Sequence, residues 1–525
     1  MLQRFAIGLW LGAVSVGCLS LVGCSGISSA SKSLQQNSSQ NDAGQAIPST
    51  FWGLIINKFS SYPLQVPYGE FRGWDSGGAQ WPSVETCRAA KGDPQDACFD
   101  WQGFDREMQG LHAAGVNDVM YTASRPPIWA VNLSSDPTGL NGTDCNYYDV
   151  TSSDPEAAPG QCLPPTDLNS DGSGSNQIWK NWITAVATRA NDPTYLQTHA
   201  HIRYWEPWNE WYRSSVVMPG YVGQLSFQGT YAQMVRLTED LRCIIAGKGT
   251  IHNFPSAGQS TPCTAKAIDA AALVVSPSGA PGFQKGLDVM QNLLYCDGAG
   301  KHAPVVGSQC TTGSAGSEAV DIINYHLPAK DVIPEVVANT HIPDGRAILH
   351  ASDLKKPMIN GEGSFNIPDK QGNLWADPWA RAGFIPRFFA LYWSAGLTMN
   401  MWYSYDTDDG GLYDPATGKL IEPAATAWKL TYHWLSGSSP VNQSLCANTG
   451  TVYTCDFIQS NGRAAELVWD AQYGQNCSQM ANPTICGNTQ YNVPSQFTND
   501  WIDVTGASHS ASQTVIIGAN PILLE

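Results

Sequence analysis

The chain has 525 residues, 42% hydrophobic and 14% charged, with a formal charge of −17. This composition describes a globular chain with a large core and excludes a disordered one. The negative balance argues against nucleic acid and anionic membrane surfaces as partners.

In chain order, Met1-Leu-Gln-Arg4 precedes an apolar run from Phe5 to Val22 and then Gly23-Cys24. A short basic start, an apolar core and small residues at its end read as an export signal over 1–23. Leu21-Val22-Gly23-Cys24 resembles a bacterial lipobox, which implies cleavage before Cys24 and membrane attachment only through a lipid on that cysteine. Residues 24–49, rich in Ser, Gln and Asn, read as a flexible tether. The cysteines after Cys24 fall into neighbouring pairs, from Cys87 and Cys98 to Cys477 and Cys486, so an exported chain would close local disulfides. No Cys-x-x-Cys pair occurs, and neither a metal nor another cofactor is expected.

Phe51–Asn57 and Phe71–Asp75 read as the first two strands. Phe104–Ala114 has helical spacing and stops at Gly115, followed by a third strand over Val116–Ala123. An insertion covers 130–174, dense in Asp, Gly, Pro and Ser and closed by Cys145–Cys162. Within it, Asp167 to Gly172 begins like a calcium loop, but Ile178 stands where the bidentate Glu is required, so it reads as a turn. A helix over Trp179–Ala190 leads into a fourth strand over 201–210. Tyr231–Ile245 carries one apolar stripe, as a helix packed on a sheet does. Ala272–Ser276 is a fifth strand, Phe283–Leu294 a helix, Val320–Tyr325 a sixth strand ending at His326, and Lys356–Glu362 a seventh. Asp377-Pro378 caps a helix running to Gly396, Leu397–Tyr403 is the eighth strand, and Ala424–Leu435 is the last helix.

Eight strands, most separated by helices, predict an α/β fold, a (β/α)8 TIM barrel over 50–436. After Gly437 the pattern turns to short alternating strands, Thr451–Ile458, Ala464–Asp470 and Thr514–Ile517. They predict a C-terminal β-sandwich over 437–525, with loops closed by Cys446–Cys455 and Cys477–Cys486.

Barrels place their chemistry at the carboxyl ends of the strands. Strand four ends in Trp208-Asn209-Glu210 and strand seven delivers Glu362. A glycosidic bond breaks through an oxocarbenium-like state that needs a proton donor on one side and a carboxylate on the other, so two such acids point to glycoside hydrolysis. Asp369 and Asp406 are alternative acids near the same mouth. Glu206 reads as a structural partner of Arg72, while Arg72 with Asp75 could form an ion pair or hold sugar. Trp74, Trp81, Trp129, Trp208, Trp211 and Trp402 fall at or near strand ends, where a flat ring stacks on a sugar face. His199-x-His201 has the look of a metal pair but starts its strand, the wrong end for chemistry. There is no Gly-x-Ser-x-Gly elbow, His-Glu-x-x-His or Gly-rich phosphate loop.

Asn209-Glu210 and Glu362 resemble the acid/base and nucleophile of clan A retaining glycoside hydrolases. Trp52-Gly-Leu, Phe71-Arg-Gly-Trp-Asp75, Tyr204-Trp-Glu-Pro-Trp-Asn-Glu210 and the terminal Ile517-Gly-Ala-Asn-Pro-Ile-Leu-Leu-Glu525 are similar to family 39 and its unassigned neighbours. The resemblance implies catalysis by Glu210 and Glu362 and a carbohydrate substrate. It implies that Asn209 binds the sugar 2-hydroxyl and that His326 and Trp402 line the sugar subsite; Trp74, Trp208, Trp129 and Tyr325 complete the expected substrate contacts. A non-catalytic carbohydrate-binding surface lipoprotein on the same scaffold is the alternative.

Overall fold

The computed structural model describes residues 45–57, 63–74, 78–116, 118–132, 161–218, 221, 225–252, 260–282, 284–296, 313–327, 329–330, 333–366, 377–406, 411–442, 444–473, 476–497, 500–510 and 512–525. The expectations for the export signal, Cys24, Asp75, Cys145, Asp369 and most of the 130–174 insertion lie outside the described residues.

Eight strands form one parallel sheet: β1 (Trp52–Leu54), β2 (Glu70–Gly73), β3 (Asp118–Thr122), β4 (His201–Glu206), β5 (Leu273–Val274), β6 (Ile323–His326), β7 (Met358–Gly363) and β8 (Met399–Trp402). Their order is 5-4-3-2-1-8-7-6, so each strand lies beside its neighbour in sequence and β1 meets β8. Parallel bridges at Val275–Ile322 and Gly279–Tyr325 join β5 to β6 and close the ring. The expected barrel is therefore the fold.

Helix α1 (Gln102–Ala113) follows β2, α2 (Gln177–Ala190) follows β3, α3 (Tyr231–Ala246) follows β4 and α4 (Gln284–Tyr295) follows β5. Helix α5 (Pro378–Ser394) follows β7 and α6 (Ala424–Leu435) follows β8. Local chemistry sets their ends. Thr230 and Gln233 exchange side-chain and backbone bonds as a capping box at α3, and Gly247 ends that helix with φ 62°. The Asp377 side chain accepts from the backbone N–H of Trp379 and Ala380 at the start of α5. Between β6 and β7 lie three helical stretches, Pro334–Val336, Val337–His341 and Ile342–Ala347, which the sequence did not announce. Two prolines and Gly345 interrupt their spacing.

Strand alternation divides the barrel core in two. Ile55, Met120, Val275, Ile322, Ile359, Met399 and Met401 fill the interior. The alternate side chains, with the apolar faces of the helices, form the outer layer, where Trp52 stacks on Phe389 of α5 at 4.1 Å.

Beyond the barrel, β9 (Cys446–Thr449), β10 (Val452–Ile458), β11 (Ala464–Asp470), β12 (Thr489–Asn492), β13 (Asp500–Ile502), β14 (Ser508–Ser510), β15 (Thr514–Ile517) and β16 (Ile522–Leu524) are antiparallel. Val468, Ile522 and Leu524 of the larger sheet share a core with Val515 and Ile517 of the β12–β15 pair, the packing of a small sandwich. Cys87–Cys98, Cys243–Cys263, Cys446–Cys455 and Cys477–Cys486 are bonded, each joining near neighbours in sequence. Among the described residues no helix is long and apolar enough to cross a membrane.

Candidate active site

Glu362 reaches the mouth through a break in strand pairing. Asn360 pairs with Tyr325 and Glu362 with His326, so Gly361 is an extra residue on β7. Such a bulge re-aims the side chain beside it. Gly361 has no room for a side chain, because a Cβ there would lie 2.3 Å from Asn324 Oδ1. Glu210 arrives by a different route. Strand β4 ends at Glu206, and Glu210 sits four residues on, in the left-handed region at φ 45°. Its backbone N–H donates to Ser278 Oγ at 2.8 Å, which fixes the turn against the loop after β5.

These two paths bring one oxygen of each carboxylate and a ring nitrogen of His326 within 4.8 Å of one another. Behind them lies a charged layer. Arg72, fully buried, donates through Nη2 to Glu206 at 2.7 Å and to Asn209 Oδ1 at 2.6 Å, and through Nη1 to Glu362 at 3.3 Å. Glu206 also accepts from Thr122 at 2.5 Å and Asn324 at 2.8 Å, which satisfies the buried carboxylate and makes it the structural partner of Arg72. Because Arg72 claims the Asn209 oxygen, the amide orientation is set. Asn209 Nδ2 is buried and has no partner among the described residues. The same holds for His326 Nε2, whose Nδ1 faces Glu210 at 3.4 Å and Glu362 at 3.6 Å.

Around Glu210, Tyr212 Oη donates to Oε1 at 2.8 Å and Arg213 Nε pairs with Oε2 at 2.9 Å. Burial alone would raise its pKa; the Arg213 charge, the His326 bond and the Tyr212 hydroxyl outweigh it and hold the carboxyl below the usual range. The triangle of Glu210, His326 and Glu362 offers donors for a cation, but guanidinium groups already hold both carboxylates, and their charge opposes a metal ion there.

The aromatic expectations divide. Trp402 does not line the site: it is buried among Phe384 and Phe388 of α5 and Trp428 of α6, on the outer side of the barrel wall. Alternation gives the reason, since Met401 takes the inward position and the half-buried Tyr403, one residue later, packs against the interior. Trp208 is also core, its indole N–H donating to Ser226 O at 2.8 Å and its ring edge-on to Phe227. Tyr325 points outward and donates to Gly345 O at 2.8 Å. Trp81 stacks on Trp182, and Trp211 packs on Phe227 and Tyr231. Trp74 is buried with the Arg125 guanidinium 4.4 Å from its ring centre, so that face is occupied. Trp129 is half-buried and lines a separate cleft of about 290 Å³ with Glu85, Arg88, Gln177 and Asn181.

His201 lies between Asp118 and Asp269 at 2.8 and 2.9 Å, at the start of β4 and away from the mouth. Asp167 accepts from the backbone N–H of Gln177 and Ile178 at the start of α2, so the calcium-like stretch is a turn that caps a helix. Asp406 accepts from Asn57 N–H at 2.8 Å. Tyr212 and Arg213 were not among the expected partners of Glu210; their place two and three residues after it was the available signal.

No protein-family model matches the chain, and no curated protein does. Solved structures do. A family 39 glycoside hydrolase from the gut symbiont Bacteroides cellulosilyticus WH2 aligns over 92% of this chain and 82% of its own, with a TM-score of 0.53 and 12% identity. A conserved exported protein from Bacteroides fragilis aligns over 92% of this chain and 98% of its own, with a TM-score of 0.53 and 8% identity. The likeness is one of fold: the chain shares the architecture of these two solved structures.

Proposed function

We propose that the chain is a retaining glycoside hydrolase acting on an oligosaccharide or polysaccharide, with Glu362 as nucleophile and Glu210 as acid/base. The observation that carries this reading is the approach of the two carboxylates to within 4.8 Å at the mouth of a barrel. Nearest oxygens this close favour the roughly 5–5.5 Å carboxyl spacing of double displacement over the roughly 6.5–9.5 Å that inversion needs to seat a water.

In the first step Glu362 attacks the anomeric carbon as the bond to the leaving oxygen breaks, and that oxygen takes the Glu210 proton. In the second, water attacks the same carbon, Glu210 takes its proton, and the ester to Glu362 breaks. Arg72 supports Glu362 as an oriented carboxylate. Asn209 Nδ2 is left to donate to a sugar hydroxyl, and His326 Nε2 has the same capacity. The disulfides among the described residues fit an oxidising compartment and, with the leader sequence, support export; the reading of Cys24 as a lipid anchor rests on the leader alone.

One observation favours a second reading, a carbohydrate-binding protein without turnover: a Glu210 held ionised by Arg213 protonates no leaving group. Proton NMR of the first-formed product separates the two. Retention is expected to give the anomer of the cleaved linkage. The opposite anomer contradicts the mechanism, and binding without product selects the second reading.

A further inference from the structure

Glu210 has two differently occupied oxygens. Oε1 faces inward, to Tyr212 and His326, whereas Oε2 is held by Arg213, whose side chain is 29% exposed. The turn fixes this arrangement: Arg213 N–H donates to Glu210 O at 2.9 Å, and Arg213 O accepts from Ser226 N–H at 2.7 Å. Among the described residues, the charged and titratable groups around Glu210 include Tyr212, Arg213 and Tyr221 from its own loop, His326 from β6 and Glu362 from β7, with Arg72 of β2 behind Glu362. Of the two arginines, Arg72 is sealed beneath the site, and Arg213 is the one a ligand can meet.

An acid that must donate a proton gains nothing from a guanidinium on its oxygen. The pair makes chemical sense if the substrate dissolves it. A neutral hydroxyl is a weak competitor for a guanidinium already bound to a carboxylate; another carboxylate competes on equal terms, with bidentate geometry. We propose, resting on the hydrolase reading above, that Arg213 is a positioning residue that selects a substrate carrying a carboxylate on the leaving-group side, such as a uronic acid unit. The substrate carboxylate takes the guanidinium from Glu210, and the released Glu210 picks up a proton from solvent and delivers it to the glycosidic oxygen. In the empty site the same pair keeps the acid unarmed. The chain is strongly acidic overall, so a single local carboxylate fits it better than a polyanion.

The test compares the full chain with Arg213→Met on two sets of oligosaccharides, matched in linkage and differing in whether the leaving sugar is neutral or a uronic acid. The parent is expected to favour the uronic acid set in kcat/KM by about tenfold or more, and Arg213→Met to lose that preference, chiefly through KM on the acidic set. On the neutral set the variant's alkaline limb of kcat/KM is expected to move upward in pH, because Glu210 keeps its proton longer. A merely structural role would not move that limb. A parent that favours neutral leaving sugars, or a variant with an unchanged pH profile, overturns the proposal while leaving the hydrolase reading intact. If Arg213→Met is poorly folded, Arg213→Lys, which keeps the charge but not the fork, is expected to retain part of the preference. Absence of turnover on both sets, with binding preserved, overturns both readings.

Discussion

Arg72, itself fully buried, joins three acceptors, Glu206, Asn209 and Glu362. Removing it strands a fully buried Glu206 carboxylate, which costs about 3–5 kcal/mol in comparable pairs. Arg72→Met is expected to lower the denaturation midpoint by that order and to abolish turnover, and urea titration checks the first part. Asn209→Ala poses a cleaner question, because it removes the donor and leaves the ion pair. Bonds to the 2-hydroxyl strengthen in the transition state, so kcat is expected to fall about 10- to 1,000-fold with KM changing much less. A change confined to KM would remove Asn209 from that role. At this scale the sequence was legible where strand ends met carboxylates and amides. It was illegible for Trp402 and Trp208, because a tryptophan at a strand end looks alike whether it faces the mouth or the helices. One residue of register decides, as Tyr403 illustrates.

Elements built from strong periodicity came through with little change. Ala424–Leu435, Ala464–Asp470 and Thr514–Ile517 coincide with their predicted bounds. The β6–β7 connection did not, since Pro334, Pro343 and Gly345 break the spacing that marks a helix. The Gly361 bulge was hidden for another reason: the pairing it interrupts is nonlocal. The bridge from His201 on β4 to Asp118 on β3 and Asp269 before β5 belongs to this scale and makes a pH prediction. The Asp118 bond, and then Asp269, raise the His201 pKa against the effect of burial. A raised histidine contributes stability that is fully present below its unfolded pKa of about 6.5 and is lost as pH rises through the folded value. His201→Gln is therefore expected to lower the melting temperature at pH 6 and change little at pH 9. Partial exposure limits the loss to about 1 kcal/mol. An equal loss at both values would point to packing instead of charge.

Across the whole molecule, barrel and sandwich are tied by buried polar bonds as well as apolar contact. Arg387 of α5 holds Glu335 through two bonds of 2.7 Å, and Trp469 of β11 donates to the same Glu335 at 2.7 Å. Asp377, at the start of α5, accepts from Ser478 beside the Cys477–Cys486 disulfide. The two parts are accordingly expected to unfold together. Trp469→Phe should shift one shared transition by about 1–3 kcal/mol, the cost of an acceptor left short of its donor. Calorimetry with two separate transitions would contradict that coupling. The central claim concerns the mouth of the barrel, and its most direct test is product release from a broad panel of oligosaccharides and polysaccharides. The parent protein and Glu362→Gln would be compared by mass spectrometry. Turnover by the parent that collapses in the variant is the predicted result; turnover that survives in Glu362→Gln would contradict the assignment.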